Sequence, residues 1–430
     1  MRIKFPLTIT ILFLLIVLEN LCLYYFFRQG VWTTGKNALC LFFASLSFGL
    51  VFIYRFYNET IDPAPLGKKR NWLNYTNILL LLGGLYLIGI PYNEFFLERD
   101  IYPGNSDIIP IIQVACKRFV AGNYPYGAVT TFGWASEVLY LPMHWMPFSI
   151  AELFEIDYRW IPYGVWGIAG LILCVRAAKI ANPVIRALVP LILLASNYVM
   201  FYSNNAIVEA TVELMVAGYY MMLISGMNTG NGVLQGLIIG TCMLSRYSLV
   251  LWLPLYAFVL FVTGSRRQLY IATGTAVAMV MGLYVLPFLT RDPKLFSKLF
   301  GGYEGAAVYE WTHLNKAEQP IHLFSGTGFA YYFYTRFTGH SIPERIKLLQ
   351  RTHLFVCLGV TALMCVWFWY KQNRIDKRIF LMGSFKIYLT FFLFLIQVPY
   401  EYLMCVGNFV SIALFCEQAR YRFAKGTATV

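Results

Sequence analysis

The sequence predicts an all-α, polytopic membrane protein with about 12 transmembrane helices and both termini in the cytoplasm. Of its 430 residues, 59% are apolar and only 13% are charged, whereas soluble globular proteins carry roughly 25% charged residues. Apolar runs close to the ~20 residues that cross a bilayer recur along the whole chain. This composition excludes a disordered chain and argues against an ordinary soluble enzyme.

Twelve apolar runs are interpreted as spans. In chain order they are 7–27, 37–54, 76–92, 158–178, 184–202, 206–226, 233–245, 247–263, 269–289, 353–370, 380–396 and 398–416. The first run is long for the apolar region of a signal peptide and lacks a cleavage site of small residues, so we interpret it as a retained helix.

Two apolar stretches do not have the length of one ordinary span. The stretch 233–263 is too long for one helix, and Arg246 lies near its middle. Because a charge at mid-bilayer is costly, we expect two short helices with Arg246 at the turn. The stretch 138–151 is short and contains Pro142 and Pro147, which predicts an interfacial or re-entrant element.

The orientation follows from the distribution of Lys and Arg between the two sides. With the N-terminus inside, the cytoplasmic segments hold 18 basic and four acidic residues, whereas the outer segments hold 14 of each. Lys and Arg favour the cytoplasmic side. The formal net charge of +13 therefore reports orientation in the plasma (inner) membrane, and we expect no nucleic-acid partner.

The same pattern divides the chain into four regions. Residues 1–75 form an N-terminal hairpin and a cytoplasmic linker, and 76–290 form a transmembrane core that includes a first extracytoplasmic loop, 92–158. Residues 291–352 form a second large outer loop, and 353–430 hold the C-terminal helices. Loops of this length without helices of their own are uncommon unless they are functional.

Cysteine and histidine patterns exclude several kinds of site. Eight of the nine cysteines lie in apolar runs, and no C-x-x-C pair is present, so neither a zinc ribbon nor a disulfide framework is indicated. The five histidines form no H-E-x-x-H motif, and no phosphate-binding G-x-x-x-x-G-K-[ST] loop is present. We expect no cofactor and no obligatory metal.

Polar and aromatic residues concentrate in the two outer loops rather than in the spans. A transporter places its polar groups near mid-bilayer, but the charged residues inside the predicted spans are few: Glu19, Glu209, Glu213, Arg246 and Lys386. Glu209 and Glu213 are four apart and share a helix face. This distribution favours an enzyme that works at the outer surface.

Four motifs follow one another in the first outer loop: Asp107, an amphipathic helix from Ile108 to about Ala121, Gly122-Asn-Tyr-Pro-Tyr126, and Tyr140-Leu-Pro142 with Pro147 beyond it. Their order resembles the first loop of the GT-C superfamily of membrane glycosyltransferases, most closely the mannosyltransferases of glycosyltransferase family 87. Downstream, Asn204-Asn205 stands where that family often has Gly-Gln. Arg246 ends a glycine-rich helix that in the family ends in Lys. The resemblance covers about residues 76–290.

The resemblance implies transfer of a hexose, with mannose as the first candidate, from a polyprenyl-phosphate donor to a glycan or glycolipid acceptor, with inversion. Such a reaction needs a carboxylate that takes the proton of the attacking hydroxyl. Asp107 is the predicted base, with Asp100 next and Glu98 after it. The alternative for Asp107 is a helix cap. The leaving phosphate needs basic groups, and Arg246 is the predicted ligand; its alternative is a charge at a helix turn.

Further substrate contacts are predicted by position. Tyr124 and Tyr126 could stack on a sugar or form a rigid turn at the interface. His144 could bind a phosphate or sugar, or be a structural histidine. The remaining candidates are His322 and Arg336 in the second outer loop and Asn205.

Two other functions stay open at this point. A transporter or lipid flippase would need a continuous polar path through the membrane. An O-antigen ligase or polymerase would use arginines and a histidine of the loop 291–352 instead of Asp107. Membrane lipids are partners in every case.

Overall fold

The computed structural model describes residues 7–29, 34–57, 75–133, 136–180, 182–203, 206–209, 211–316, 318–320, 322–323 and 328–425. The first nine helices are α1 (Leu7–Gln29), α2 (Thr34–Arg55), α3 (Thr76–Glu98), α4 (Ile108–Val120), α5 (Pro142–Trp145), α6 (Ser149–Phe154), α7 (Trp160–Ala177), α8 (Pro183–Ser203) and α9 (Ala206–Glu209). The following helices are α10 (Glu213–Met227), α11 (Gly232–Ser245), α12 (Leu253–Val262), α13 (Arg266–Val280), α14 (Leu295–Thr312), α15 (Ala330–Arg336), α16 (Ile342–Lys371), α17 (Lys377–Phe394) and α18 (Met404–Lys425).

Eight helices of the described chain are long and apolar enough to cross a membrane, which confirms the helical, multi-pass part of the sequence prediction. Their apolar segments are Leu7–Tyr25, Ala38–Arg55, Thr76–Glu98, Trp160–Ala177, Pro183–Ser203, Arg266–Leu289, Ile342–Lys371 and Glu401–Tyr421. Three further apolar segments, Glu213–Met227, Gly232–Ser245 and Tyr247–Val262, are shorter.

The centre of the bundle consists of α10, α17 and α18. Most residues of the segment Glu401–Tyr421 are buried within the protein, and α10 is buried along nearly its whole length. Helix α18 contacts α1, α2, α7, α8, α10 and α17, while α10 also packs against α7 and α11. The central helices are thus shielded by the outer ones, whose exposed side chains include many large apolar residues.

The N-terminal helices pack directly on the C-terminal ones. Helix α2 lies along α17, and α1 contacts α18 and α8. Lys386 donates to Glu19 at 2.9 Å, and both side chains are buried. Asn408 donates to Asn20 at 3.2 Å. Because a buried charge is tolerated only with a partner, these pairs fix α1 against α17 and α18.

Two predicted spans are interrupted where polar residues enter them. In the run 206–226, α10 begins only at Glu213, whose backbone N–H donates to the Thr211 hydroxyl at 3.2 Å. In the run 233–263, α11 ends at Ser245, and Arg246 has extended backbone with φ of −151°. A 3₁₀ segment, Tyr247–Trp252, then leads into α12, so the expected break at Arg246 is confirmed.

The loop segments are more ordered than their polar composition predicts. The expected amphipathic helix is α4, which differs from the predicted end by one residue. Strands β1 (Ala128–Val129) and β2 (Ser136–Glu137) pair antiparallel, with Ala128 opposite Glu137. The stretch 138–151 contains the short helix α5, a 3₁₀ turn and the start of α6, which confirms that it is not a span. The predicted loop 291–352 contains α14, α15 and the first turns of α16.

Candidate active site

Arg246 and Glu213 form an ion pair at the end of the bundle where the two long loops lie. The break after α11 carries Arg246, and the first residue of α10 carries Glu213. The Arg246 side chain is 33% exposed, whereas that of Glu213 is only 1% exposed. The carboxylate therefore holds one nitrogen of the guanidinium, while part of the Arg246 side chain stays exposed.

Two buried donor or acceptor atoms near this pair have no hydrogen-bond partner among the described residues. They are Nε of Arg246 and Nδ1 of His144. The His144 ring stacks on Tyr140 with the ring centroids 4.8 Å apart. Burial, and next the Arg246 charge, lower the pKa of His144 to about 3, so the imidazole is neutral at physiological pH. Buried polar atoms in native proteins are normally paired, so these two indicate a site for an external group.

Asp107 lies at the start of α4, but its carboxylate does not cap that helix. Instead, the Ile108 N–H donates to the Ser106 hydroxyl at 3.4 Å. Burial raises the pKa of the Asp107 carboxyl, and the negative charge of Glu310 raises it further. The geometry thus does not support the helix-cap alternative, and the carboxylate is a stronger base than a solvated aspartate.

Glu310 connects the second long loop to this region. The Tyr400 hydroxyl donates to the Glu310 carboxylate at 2.9 Å, and Nε2 of His322 lies 3.6 Å from the other carboxylate oxygen. The His322 and Tyr400 rings are 4.7 Å apart. Burial lowers the pKa of His322, although the Glu310 charge opposes that shift. Three separate segments therefore meet around one carboxylate.

Aromatic hydroxyls surround Arg246 on its accessible side. Tyr140, Tyr303 and Tyr402 all interact electrostatically with the guanidinium. The Tyr303 hydroxyl also donates to the Leu139 carbonyl at 3.5 Å. We call the whole group the loop-end cluster; it consists of Asp107, Tyr140, His144, Glu213, Arg246, Tyr303, Glu310, His322, Tyr400 and Tyr402.

The structure brings four of the predicted site residues into the loop-end cluster, namely Asp107, His144, Arg246 and His322. Tyr126 is instead buried, accepts a hydrogen bond from Trp145 Nε1 at 3.2 Å and packs on Phe288. Tyr124 donates to the Phe288 carbonyl at 3.3 Å. The rigid-turn alternative describes these two tyrosines better than sugar stacking does.

The remaining predicted residues lie elsewhere. Arg336 is exposed at the last residue of α15, and Asn205 falls outside the described residues. Asp100 and Glu98 are exposed at and after the end of α3. Asp100 lines a cavity beside α4 whose lining does not include Arg246.

Sequence reasoning missed Glu310 and the tyrosines of the cluster. Glu310 lies in a helix inside a segment expected to be a loop, and Tyr400 and Tyr402 lie in an apolar run interpreted as the start of a span. The sequence did contain a signal for Tyr400 and Tyr402, because the polar sequence Pro399-Tyr-Glu-Tyr402 interrupts the apolar run at its predicted outer end.

Among the residues that the structure describes, no group of three or more His, Cys, Asp or Glu side chains is placed to hold one metal ion. The arrangement offers a partly buried carboxylate, a half-open guanidinium and several hydroxyls. This combination suits proton abstraction beside a bound anion.

Comparison of the chain with models of known protein families, with curated proteins and with solved structures gave no match.

Proposed function

We propose that the protein is a membrane glycosyltransferase of the GT-C type. It moves a hexose, with mannose as the first candidate, from a polyprenyl-phosphate donor to a glycan or glycolipid acceptor at the extracytoplasmic face, with inversion. In this proposal the chain crosses the plasma (inner) membrane 12 times, and both termini are cytoplasmic. The three shorter apolar segments and α17 complete the eight long helices in this count.

One observation carries the proposal. Asp107, a carboxylate with a raised pKa, shares the loop-end cluster with Arg246, which is one-third exposed and whose Nε has no partner in the described part of the chain. A base for the acceptor and a cradle for an anionic leaving group are the two elements that sugar transfer from a phosphate carrier requires.

The proposed step is a single displacement. The acceptor hydroxyl oxygen forms a bond to the anomeric carbon while its proton passes to the Asp107 carboxylate. The bond from that carbon to the phosphate oxygen breaks, and the electron pair leaves with the phosphate. Because the leaving phosphate is stable as an anion, no catalytic acid is needed.

Arg246 holds the leaving phosphate in this scheme through charge-assisted hydrogen bonds. The other ring nitrogen of neutral His144 donates to the Ser245 backbone, so Nδ1 is an acceptor and takes a hydrogen bond from a hydroxyl of the donor sugar. Glu213 is a positioning residue, because its hydrogen bond fixes the guanidinium. The polyprenyl chain stays in the bilayer, beside the ring of outer helices.

The test is Asp107→Asn, assayed in membranes with a labelled polyprenyl-phosphate mannose donor. Loss of a general base lowers the rate by about 10²–10⁴-fold. Glu94→Gln, at an exposed acidic position of α3, is the matched control and keeps the wild-type rate. Full turnover by Asp107→Asn would eliminate Asp107 as the base.

Two other functions give different outcomes. An O-antigen ligase or polymerase would lose activity with His322→Gln and keep it with Asp107→Asn. A transporter or lipid flippase would move a solute or lipid across reconstituted vesicles. The buried polar groups Lys386 and Glu19, and Asn20 and Asn408, bind one another in pairs rather than line a path, which favours the enzyme.

A further inference from the structure

The cavity beside α4 has a volume of about 470 Å³ and lies between the end of α3, α4, α6 and the segment that precedes α7. We call it the α4 groove; its polar lining includes Asp100, Gln113, Lys117, Glu152, Glu155 and Arg159. Its volume lies within the ~300–1,000 Å³ of pockets that bind small ligands.

The floor of the α4 groove is Arg159, whose side chain is only 2% exposed. Its Nη2 lies 2.6 Å from the Asp157 carboxylate and donates to the Phe96 carbonyl at 2.9 Å. Its Nη1 is buried and has no hydrogen-bond partner within the described ranges. Leaving a buried donor unpaired costs about 1–3 kcal/mol, so the fold holds Nη1 ready for an acceptor from outside.

The rim determines which chemistry fits. Ionised carboxylates only accept hydrogen bonds, whereas Lys and Arg only donate them. The lining holds four acidic and two basic side chains, so a polyanion meets repulsion, and a simple cation leaves Arg159 Nη1 unpaired. Hydroxyl groups both donate and accept hydrogen bonds. A ligand with several hydroxyl groups can therefore pair with the carboxylates and with the basic side chains of the lining.

The geometry points to a glycan-binding site: the α4 groove binds an oligosaccharide of the acceptor. One sugar oxygen accepts from Arg159 Nη1, and neighbouring hydroxyls donate to the carboxylates of Asp100 and Glu155. Ile156, which is 43% exposed, provides an apolar edge for the C–H face of a sugar ring.

The direction of α4 connects this groove with the loop-end cluster. Gln113 and Lys117 lie six and ten residues after Asp107, which is about 9 and 15 Å along the helix at 1.5 Å per residue. A glycan laid along α4 therefore brings its terminal hydroxyl towards Asp107. This alignment rests on the proposed function, whereas binding in the groove does not.

Binding is tested by saturation-transfer NMR on the full chain in lipid nanodiscs, with mannotriose, maltotriose and cellotriose as probes. The double variant Asp100→Asn, Glu155→Gln raises the Kd of the bound trisaccharide by about five- to tenfold, because it weakens hydrogen bonds to two charged groups. Glu94→Gln, the exposed acid on α3, leaves the Kd unchanged. Arg159 is not altered, because its ion pair stabilises the loop.

The outcomes separate this inference from the proposed function. Asp107→Asn keeps the wild-type Kd for the trisaccharide, so binding in the α4 groove can be measured even in a variant that has no transfer activity. Binding of a trisaccharide that weakens only in the groove variant supports the inference. Absence of binding by all three sugars, or a Kd that the groove variant leaves unchanged, overturns it. Displacement of the sugar by glycerophosphoethanolamine at equal affinity also overturns it, because the site then takes a zwitterionic headgroup.

Discussion

The two ends of the bundle hold similar charged groups that differ in exposure and in the number of partners of their carboxylates. At the end opposite the long loops, Glu417 of α18 is fully buried and pairs with Arg176 and Arg420, and it also accepts from Asn228 Nδ2 at 2.5 Å. We call these four residues the Glu417 cluster. In the loop-end cluster, Arg246 meets one carboxylate and is 33% exposed, whereas Arg176 is 17% exposed. Each of these two arginines has one buried nitrogen without a partner among the described residues.

The difference indicates which charges stabilise the fold and which are available for binding. Both Glu417 oxygens are occupied, so this carboxylate joins α18 to α7 and to the segment before α11. Asp107 caps no helix, and Arg246 is one-third exposed. Helix α18 connects the two ends: it begins at Met404, two residues after Tyr402 of the loop-end cluster, and the 13 residues from Met404 to Glu417 span about 20 Å.

The largest expected effect on stability is in the Glu417 cluster. Glu417→Leu leaves Arg176 and Arg420 without their shared carboxylate, and we expect the free energy of unfolding to fall by about 3–5 kcal/mol. Denaturant titration of the purified protein in detergent, followed by Trp fluorescence, measures it. Glu94→Leu is the exposed control. An unchanged free energy would show that the two ends do not differ as described.

The corresponding change at the loop end affects catalysis instead. The double variant Glu213→Gln, Arg246→Gln removes both charges together, so no buried ion is left unpaired. We expect kcat/KM for the lipid-linked donor to fall roughly 10–100-fold, because charged hydrogen bonds contribute about 1.5–3 kcal/mol each. Arg291→Gln, at an exposed arginine of the second loop, serves as control. If this double variant lowered the free energy of unfolding as much as Glu417→Leu does, the proposed difference between the two clusters would be wrong.

A smaller effect is expected at His144. His144→Phe keeps the ring that stacks on Tyr140 but removes one neutral hydrogen-bond acceptor, so kcat/KM should fall about fivefold. With its pKa lowered to about 3, His144 is neutral from pH 5 to 8 in the wild type. The variant and the wild type should therefore have pH–rate curves of the same shape between pH 5 and 8. A difference in shape would show that His144 is not neutral in the wild type.

The smallest expected effect is a shift in pH dependence from Glu310→Gln. Activity needs ionised Asp107, so the rate rises with pH through a pKa that burial, and secondarily the Glu310 charge, hold above the ordinary value. Removing that charge lowers the pKa of Asp107, so the rising limb moves to lower pH. The amide oxygen still accepts from Tyr400. Glu304→Gln on the same helix should leave the limb in place, and a shift to higher pH would disprove the assignment.

The sequence alone was sufficient where local physics decides structure. Uninterrupted apolar runs predicted the long helices, because a bilayer span needs about 20 apolar residues whatever packs beside it. The amphipathic helix after Asp107 and the break at Arg246 followed from local pattern and from the cost of a mid-bilayer charge. The number of spans stays a prediction, since α10, α11 and α12 are shorter than the bilayer thickness requires.

Partners distant in the chain could not be predicted in this way. Glu310 lies about 200 residues after Asp107, and its contact with Tyr400 depends on how α14 packs against the turn before α18. Arg246 was predicted to be a phosphate ligand, but its pairing with Glu213 was not, because the break before α10 is set by one threonine contact. Tyr126 was predicted to contact a sugar, but in the structure its ring packs against Trp145 and Phe288 and is buried.

The sequence by itself determined that this chain is helical, that it has several helices able to cross a membrane, and that Asp107 and Arg246 are candidates for chemistry. Only the tertiary structure decided which charges satisfy one another. Composition and periodicity are local properties, whereas whether a buried donor or carboxylate finds a partner depends on helices far apart in the chain. That distinction separates the Glu417 carboxylate, both of whose oxygens are paired, from the more exposed loop-end cluster, where we propose the reaction takes place.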